Sequence, residues 1–226
     1  MYKKPSNLEF AKVFDEAANV YDKITNQYAL ERRMEFFKKY ARGKCLEIGA
    51  GSGEISKALL LNHEVVATDI SPKMVEVIRK KLKIKAYVCD AEELPFKNRS
   101  FDTIIAAELI YYLDHPNRFA KEAKRVLRGG GTLLLSSATK ITELYDQVRA
   151  FLRRVGFSSM YFEDPNKKFM AEREIRSLLS KNGFKIRTTQ AAIVLPFRLL
   201  DPLNRVIERT FLKGLCSFAY IAATKP

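Results

Sequence analysis

The chain has 226 residues, of which 47% are apolar, and its 40 Lys and Arg against 26 Asp and Glu give a formal net charge of +14. This length and apolar content are enough to bury a full core in one domain. No apolar run is long enough to span a bilayer, and the sequence after Met1 does not lead into a signal-peptide core, so we expect a cytoplasmic protein.

Cysteine usage argues against a metal site and against a disulfide framework. Cys45, Cys89 and Cys216 are far apart in strand-like apolar sequence and lack metal-ligand spacing. We therefore expect three buried core thiols and no metal site.

Two amphipathic helices are predicted before the first strand, because residues 8–21 and 26–41 carry apolar side chains at helical spacing. Tyr21 lies on the apolar face of the first helix. Its position fits an aromatic that closes over a ligand, and it fits a core aromatic equally well.

The most informative segment combines a short apolar strand, three glycines at alternate positions and the start of a helix. Glu47 lies in the strand, and Gly49, Gly51 and Gly53 follow it. Only glycine tolerates both positive φ angles and close contact between backbone and ligand. The spacing matches neither a dinucleotide fingerprint nor a phosphate loop, and Glu54 after the last glycine would repel a phosphate. The turn is therefore predicted to hold a nucleotide-sized ligand that lacks phosphate.

Three further strands are predicted to end in a carboxylate. Asp69 follows the apolar run that starts at Val65, Asp90 follows Tyr87 to Cys89, and Glu108 follows the strand that starts at Phe101. The carboxyl ends of neighbouring parallel strands form the crevice where doubly wound sheets bind ligands. A crevice rich in carboxylates in a basic protein is suited to a cationic ligand.

The remaining elements complete an α/β pattern. Crossover helices are predicted over residues 54–62, 72–83 and 116–128, and the segment 125–135 is interpreted as a helix end, a glycine turn and the fifth strand. A helix near 141–154 is followed by a helix from Glu172 to Lys181 with a C-cap at Asn182 and Gly183. The last two strands are predicted at 184–192 and 216–224.

These segments together resemble the class I S-adenosylmethionine-dependent methyltransferases, in order and spacing, from about residue 45 to 137. The segment from Phe14 to Asp22 also resembles the N-terminus of many small-molecule methyltransferases. The resemblance implies a doubly wound, seven-stranded Rossmann-like sheet, mostly parallel with an antiparallel last strand, plus an N-terminal helical lid. It further implies one domain over 1–226, with a lid at 1–43, a cofactor-binding half at 44–137 and a substrate-side half at 138–226.

The resemblance also implies the cofactor, S-adenosylmethionine, with S-adenosylhomocysteine as its demethylated product. In the family the acid after the second strand holds both ribose hydroxyls, and the acid of the third motif takes the adenine amino group. Transferred to this sequence, the predicted cofactor-binding residues are Glu47, Gly49, Ala50, Gly51, Gly53, Asp69, Ile70, Met74, Asp90, Ala91, Glu92 and Ala107.

Three residues are candidates for catalysis. Glu108 can act as a general base or hold the methionine amino group, and it can equally be a capping carboxylate. A histidine can act as a base near neutral pH, but His115 precedes a proline in a loop, where a histidine is commonly just exposed to solvent. Tyr21 is the third candidate.

The acceptor is left open by the sequence. The apolar stretch from Ala191 to Leu200 and the N-terminal helices favour a small molecule with a lipid-like or quinone-like body. We expect its cavity to be walled by the first helix, by Tyr111 and Tyr112, and by the segment from Ala191 to Phe211, although the two tyrosines can equally just pack. The net charge favours RNA as the alternative acceptor, although the motifs for base-amine and pyrimidine-carbon methylation are absent. A binding module without catalysis, peripheral contact with a membrane, and any oligomeric state also remain open.

Overall fold

The structure is a computed structural model that describes residues 11–12, 14–15, 27–142, 147, 168–193, 203–204, 206 and 217–226. Its helices with both ends described are α1 (Gln27–Tyr40), α2 (Glu54–Leu59), α3 (Pro72–Leu82), α4 (Pro116–Val126) and α5 (Glu172–Lys181). Its strands are β1 (Cys45–Ile48), β2 (Val65–Asp69), β3 (Lys85–Val88), β4 (Phe101–Ala107), β5 (Leu127–Ala138), β6 (Lys185–Ala192) and β7 (Phe218–Thr224).

The strands form one seven-stranded sheet in the order β3-β2-β1-β4-β5-β7-β6. Strands β1 to β5 pair in parallel, whereas β7 runs antiparallel to both β5 and β6. The predicted doubly wound, Rossmann-like methyltransferase sheet with an antiparallel last strand is confirmed. A sheet of this kind reverses its strand order beside β1, so its ligand crevice is expected at the carboxyl ends of β1 and β4.

Helices cover both faces of the sheet. One core joins Ile48 and Ile104 of the sheet to Phe119 of α4 and Ile175 of α5. The other face packs against α1 and α2, where Phe36 and Phe37 meet Tyr220 of β7 among others. Because β1, β2 and β4 are covered on both sides, their sequences are largely apolar and lack the alternation of a strand with one exposed face.

Several predicted boundaries shift by a few residues. Helix α2 ends at Leu59 and α4 at Val126, earlier than predicted. The glycines at 129–131, interpreted as a turn, lie inside β5, because Gly130 donates to the carbonyl of Lys225 at 2.9 Å and Gly131 accepts from its amide at 2.9 Å. The C-cap at Asn182 and Gly183 is confirmed, with Gly183 at φ +79°.

The expectation of three buried thiols is only partly met. Cys45 is fully buried in β1, and burial raises the pKa of its thiol to about 11. Cys89 is only half-buried and faces the crevice, so describing it as a core thiol was wrong. Cys216 lies outside the described residues.

Candidate active site

A cleft of about 720 Å³ opens at the carboxyl ends of β1, β2 and β4. It is lined by Phe14, Ile48, Gly49, Gly51, Asp69, Ile70, Cys89, Asp90, Ala91, Ala107, Glu108, Leu109, Tyr112 and Leu113. A second cavity of about 790 Å³ shares Gly49, Gly51, Ala107 and Glu108 with it, so the two are parts of one continuous cleft.

The glycine turn separates the two parts of the cleft. Gly49, Gly51 and Gly53 all have positive φ, at +70°, +53° and +82°. A Cβ on Gly49 would lie 3.1 Å from Cδ1 of Leu109, in addition to the strain that its φ imposes on any other residue. The turn therefore offers bare backbone on the floor of the cleft, as predicted for a cradle that a ligand touches.

Asp69 fixes this turn from the end of β2. It is buried, and its Oδ2 accepts from the amide of Gly51 at 2.8 Å, while its Oδ1 accepts from the amide of Ser71 at 2.9 Å. Burial raises the pKa of this carboxyl group, and the backbone donors oppose that shift. Each carboxylate oxygen can accept a second hydrogen bond on the cleft side.

Asp90 and Ala91 form the neighbouring wall. The Oδ1 of Asp90 accepts from the amide of Glu92 at 2.8 Å, which gives a local turn after β3. The amide of Cys89 donates to the carbonyl of Asp69 at 3.0 Å and so ties this turn to the end of β2.

The second part of the cleft holds the buried acid Glu47, the partly buried acid Glu108 and one buried cation. Glu47 is fully buried and accepts a hydrogen bond from the hydroxyl of Ser56. Burial raises the pKa of Glu47 to about 7, while Ser56 and the positive charge of Arg33 act against the increase. Arg33 comes from α1 and is 9% exposed. A cavity with charges of both signs suits a zwitterion such as an α-amino acid.

Glu108 is held in place from four directions. Its Oε1 accepts from the hydroxyl of Ser136 at 2.8 Å and lies 3.5 Å from a guanidinium nitrogen of Arg33. Its Oε2 accepts from the amide of Ala138 at 2.9 Å and the hydroxyl of Tyr111 at 3.1 Å. The residue has φ +53°, which is uncommon for a side chain other than glycine and typical of functional sites.

Two aromatic rings, those of Phe14 and Tyr112, line the cleft, and the buried Tyr111 with Phe169 lies behind them. Phe14 meets Tyr112 edge to face with centroids 5.4 Å apart, Tyr112 meets Tyr111 at 4.7 Å, and Tyr111 meets Phe169 at 5.1 Å. The residue after Phe14, Asp15, accepts from the hydroxyl of Ser71 and from the amide of Lys73 at 3.2 Å. The segment 14–15 is thereby attached to the start of α3.

Most of the predicted cofactor-binding residues come together in the cleft. Glu47, Gly49, Ala50, Gly51, Asp69, Ile70, Asp90, Ala91 and Ala107 line one part or the other. Four predicted site residues do not line it. Gly53 starts α2, Met74 is buried in the core, and the Oε1 of Glu92 accepts from the amide of the exposed His115 at 2.6 Å. Tyr21 lies outside the described residues.

Sequence reasoning missed the contribution of α1. Arg33 follows Leu30 by three residues and precedes Phe37 by four, so it lies on the apolar face of the helix. The sequence signal for this role was a single cation on an otherwise apolar helix face. Ser56 and Ser136, which anchor the two acids, gave none, because a serine in a buried element is common.

Two features are absent from the part of the chain that the structure describes. No group of three or more His, Cys, Asp or Glu side chains in them is arranged to hold a metal ion. None of the described helices combines the length and apolar character needed to cross a membrane.

Comparison with known proteins agrees with this geometry. A family model described as a methyltransferase domain matches residues 46–135. An uncharacterised protein of Methanocaldococcus jannaschii is 28% identical over 94% of this chain and 98% of its own length. A ubiquinone/menaquinone biosynthesis C-methyltransferase of Bordetella parapertussis is 30% identical, but the match covers 59% of this chain and 58% of that protein.

Among solved structures, an S-adenosylmethionine-dependent methyltransferase of Thermotoga maritima superposes with a TM-score of 0.72 at 24% identity, covering 95% of this chain and 99% of that one. That likeness shows the shared fold. The family match over residues 46–135, the cofactor-binding segment, gives the class: the chain has the methyltransferase domain of a class I S-adenosylmethionine-dependent methyltransferase. The protein is an enzyme, and its cofactor is S-adenosylmethionine.

Proposed function

We propose that this enzyme transfers the methyl group of S-adenosylmethionine to a small molecule with a flat or extended apolar body, of the quinone-like or lipid-like kind. The observation that carries the proposal is the two-part cleft, in which a polar cradle for the donor opens onto an aromatic wall. The segment at 191–211, which we also expected to wall the acceptor, is described only to Ile193 and at 203–204 and 206.

The first part of the cleft suits the nucleoside of the donor. We assign Asp69 to the ribose hydroxyls and Asp90 with the amide of Ala91 to the adenine edge. Asp69 has acceptor capacity beyond its backbone donors, and a carboxylate matches a vicinal diol. Ile48, Ile70 and Leu113 add apolar surface for the ring. Without a Cβ at Gly49, the donor approaches the backbone closely.

The second part suits the amino-acid end of the donor. We assign the carboxylate to Arg33 and the ammonium group to the side of Glu47 and Glu108. Glu108 already accepts from three donors and faces Arg33, so its charge is balanced before a substrate arrives. We therefore propose that it positions the donor, and that it does not act as a general base.

The chemistry then requires alignment more than acid–base groups. Methyl transfer from a sulfonium is an in-line displacement that disperses the positive charge of the donor, so the protein does not have to stabilise a new charge there. The acceptor atom must lie roughly 3 to 3.5 Å from the methyl carbon in a site without water. Phe14 and Tyr112 are placed to exclude water beside the glycine turn.

The acceptor class rests on the aromatic wall and on the relatives. The rings of Phe14 and Tyr112 line the cleft, and Tyr111 and Phe169 continue the row of rings into the core behind them. Flat or apolar acceptors pack well on such rings, while a phosphate chain gains nothing from them. The quinone-pathway C-methyltransferase from Bordetella has a substrate of this kind in its name, which supports the same class here.

The experiment is a methyl-transfer assay with donor carrying a labelled methyl group. The purified enzyme is incubated separately with an organic extract of cells and with an RNA extract. We expect label in the organic fraction, and label in RNA alone would replace this proposal by an RNA methyltransferase. Label in neither fraction, with donor bound, would favour a binding module without catalysis.

Two arginines on α1 give a matched test of the donor site. Arg33→Met should weaken binding of S-adenosylhomocysteine by about ten- to a hundredfold, because a hydrogen bond to a charged group contributes about 1.5 to 3 kcal/mol. Arg32→Met, in which the lost guanidinium pairs with Glu35 at 2.5 Å on the helix surface, should bind it normally. Equal affinities in the two variants, measured by calorimetry, would remove Arg33 from the site.

A further inference from the structure

The edge of the sheet opposite the active site carries a basic groove. It lies between the C-terminal ends of α4 and α5, close to the start of β5 and the end of β7. The cleft, in contrast, lies at the carboxyl ends of β1, β2 and β4. We call it the basic groove, and its walls are formed by Lys121, Lys124, Arg125, Lys181, Asn182, Gly183 and Lys225. Every charged side chain in this wall is a cation.

Two of these cations have structural roles. The guanidinium of Arg125 pairs with Glu122 at 2.7 Å and also donates to the carbonyls of Leu94 and Phe96. The ammonium of Lys225 donates to the carbonyls of Lys124 and Leu127, at 2.7 and 2.6 Å. Both groups are therefore committed to holding the end of α4 against the sheet.

The other three cations are available. Within the described part of the chain, Lys121, Lys124 and Lys181 form no ion pair. Burial lowers the pKa of Lys225, and the positive charges of Arg99 and Lys124 add to this shift. Unbalanced cations that converge in this way attract an anionic partner.

Favourable interaction with the ends of the helices does not explain the presence of all three lysines. Lys124 and Lys181 lie in the last turns of their helices, where a cation interacts favourably with the helix dipole. Lys121 lies before the last turn of α4, where this effect has faded. It is one turn away from Lys124, so that the two Cβ atoms are roughly 5 to 6 Å apart on one face.

Gly183 shapes the floor of the groove. A Cβ at this position would lie 2.2 Å from Nζ of Lys124, so a larger residue would displace that ammonium group from the groove. The φ of +79° closes the C-cap of α5.

We propose that the basic groove binds the phosphate backbone of a nucleic acid without reading its sequence. Lysine is a common phosphate ligand, and the groove offers three available ammonium groups with no competing carboxylate. A membrane surface fits less well, because no apolar side chain lines the groove for insertion. Docking on a bilayer through this edge would also turn the acceptor cleft away from the lipid.

The bound nucleic acid would not be the methyl acceptor at this position. Strand β4, with seven residues, separates the two edges of the sheet by roughly 20 Å, since a parallel strand rises about 3.3 Å per residue. The groove would therefore locate the enzyme on a nucleic acid while the cleft acts on its own substrate.

The test compares two triple variants with the same change in net charge. In one, Lys121, Lys124 and Lys181 are each replaced by Gln. In the other, the exposed and scattered Lys38, Lys57 and Lys97 are replaced by Gln. Binding of labelled single-stranded RNAs of two unrelated sequences is measured by fluorescence anisotropy over a range of salt concentrations. Affinity for S-adenosylhomocysteine reports that each variant is folded.

We expect the groove variant to lose about tenfold or more in RNA affinity, and the salt slope to fall by about 2, because three phosphate contacts contribute roughly 0.7 each. The scattered variant should stay within about twofold of the unchanged protein. Equal losses in both variants would reduce the effect to net charge and overturn the proposal. Binding to phosphatidylserine vesicles, with no binding to RNA, would overturn it in favour of a membrane.

Discussion

At the scale of single residues, the buried Glu47 makes the stability of the protein depend on pH. Its folded pKa of about 7 lies above the value of 4.5 for an unperturbed Glu, so the folded chain holds a proton that the unfolded chain has lost between these pH values. Stability therefore falls as the pH rises from 4.5 to 7 and is constant above. This pH-dependent loss of stability, worth up to about 3 kcal/mol, should be absent in Glu47→Gln. The same variant should bind the donor more weakly.

The measurement is the free energy of unfolding in urea at pH 5 and at pH 8. The difference between the two pH values should be smaller in Glu47→Gln than in the unchanged protein. The exposed Glu93→Gln provides the control and should leave the difference as it was. Parallel pH profiles for Glu47→Gln and the unchanged protein would mean that Glu47 is ionised in the folded state throughout.

At the scale of elements, the short segment at Phe14 and Asp15 covers the cleft only as long as α3 holds it. Asp15 accepts from Ser71 and Lys73 at the N-terminus of α3, where a negative charge is favourable. Asp15→Ala should release Phe14 from Tyr112, and binding of S-adenosylhomocysteine should weaken by about three- to tenfold, on the scale of a lost helix cap.

Calorimetry measures the loss of affinity for S-adenosylhomocysteine, and Lys12→Ala, an exposed change on the same segment, is the control. Phe14→Ala should match Asp15→Ala, since both variants uncover the same wall. If Asp15→Ala binds the product as tightly as the unchanged protein, the segment is not a cover of the donor site.

The order of the elements could be predicted from the sequence, but some of their boundaries and partners could not. Apolar runs and glycine spacing mark β1, β2 and β4, because these strands are buried on both sides. The glycines of β5 look like a turn locally and become strand only through hydrogen bonds to Lys225, over ninety residues later. The role of Arg33 likewise depends on its contact with Glu108, which follows the distant strand β4.

At the scale of the whole molecule, charge is divided between the two edges of the sheet. Glu47, Asp69, Asp90 and Glu108 surround the cleft, while the basic groove lies at the opposite edge. The cleft can therefore attract a cationic sulfonium in a protein whose net charge is +14. Because the proposed donor site is built from turns that follow three strands, donor binding should stabilise the sheet as a unit.

This stabilisation can be measured as a shift in melting temperature. At a concentration one hundred times its dissociation constant, a ligand adds about 2.7 kcal/mol, which corresponds to roughly 5 to 10 °C for a chain of this size. S-adenosylhomocysteine should produce this shift, whereas NAD should produce none, because Glu54 at the start of α2 disfavours a phosphate beside the turn. Gly51→Val should abolish the shift, since its side chain would fill the cradle at a φ of +53°. The control is Gly129→Val, which should retain the shift because no atom lies within 4 Å of a Cβ at this position. If Gly51→Val retained the shift as well, the donor would bind elsewhere.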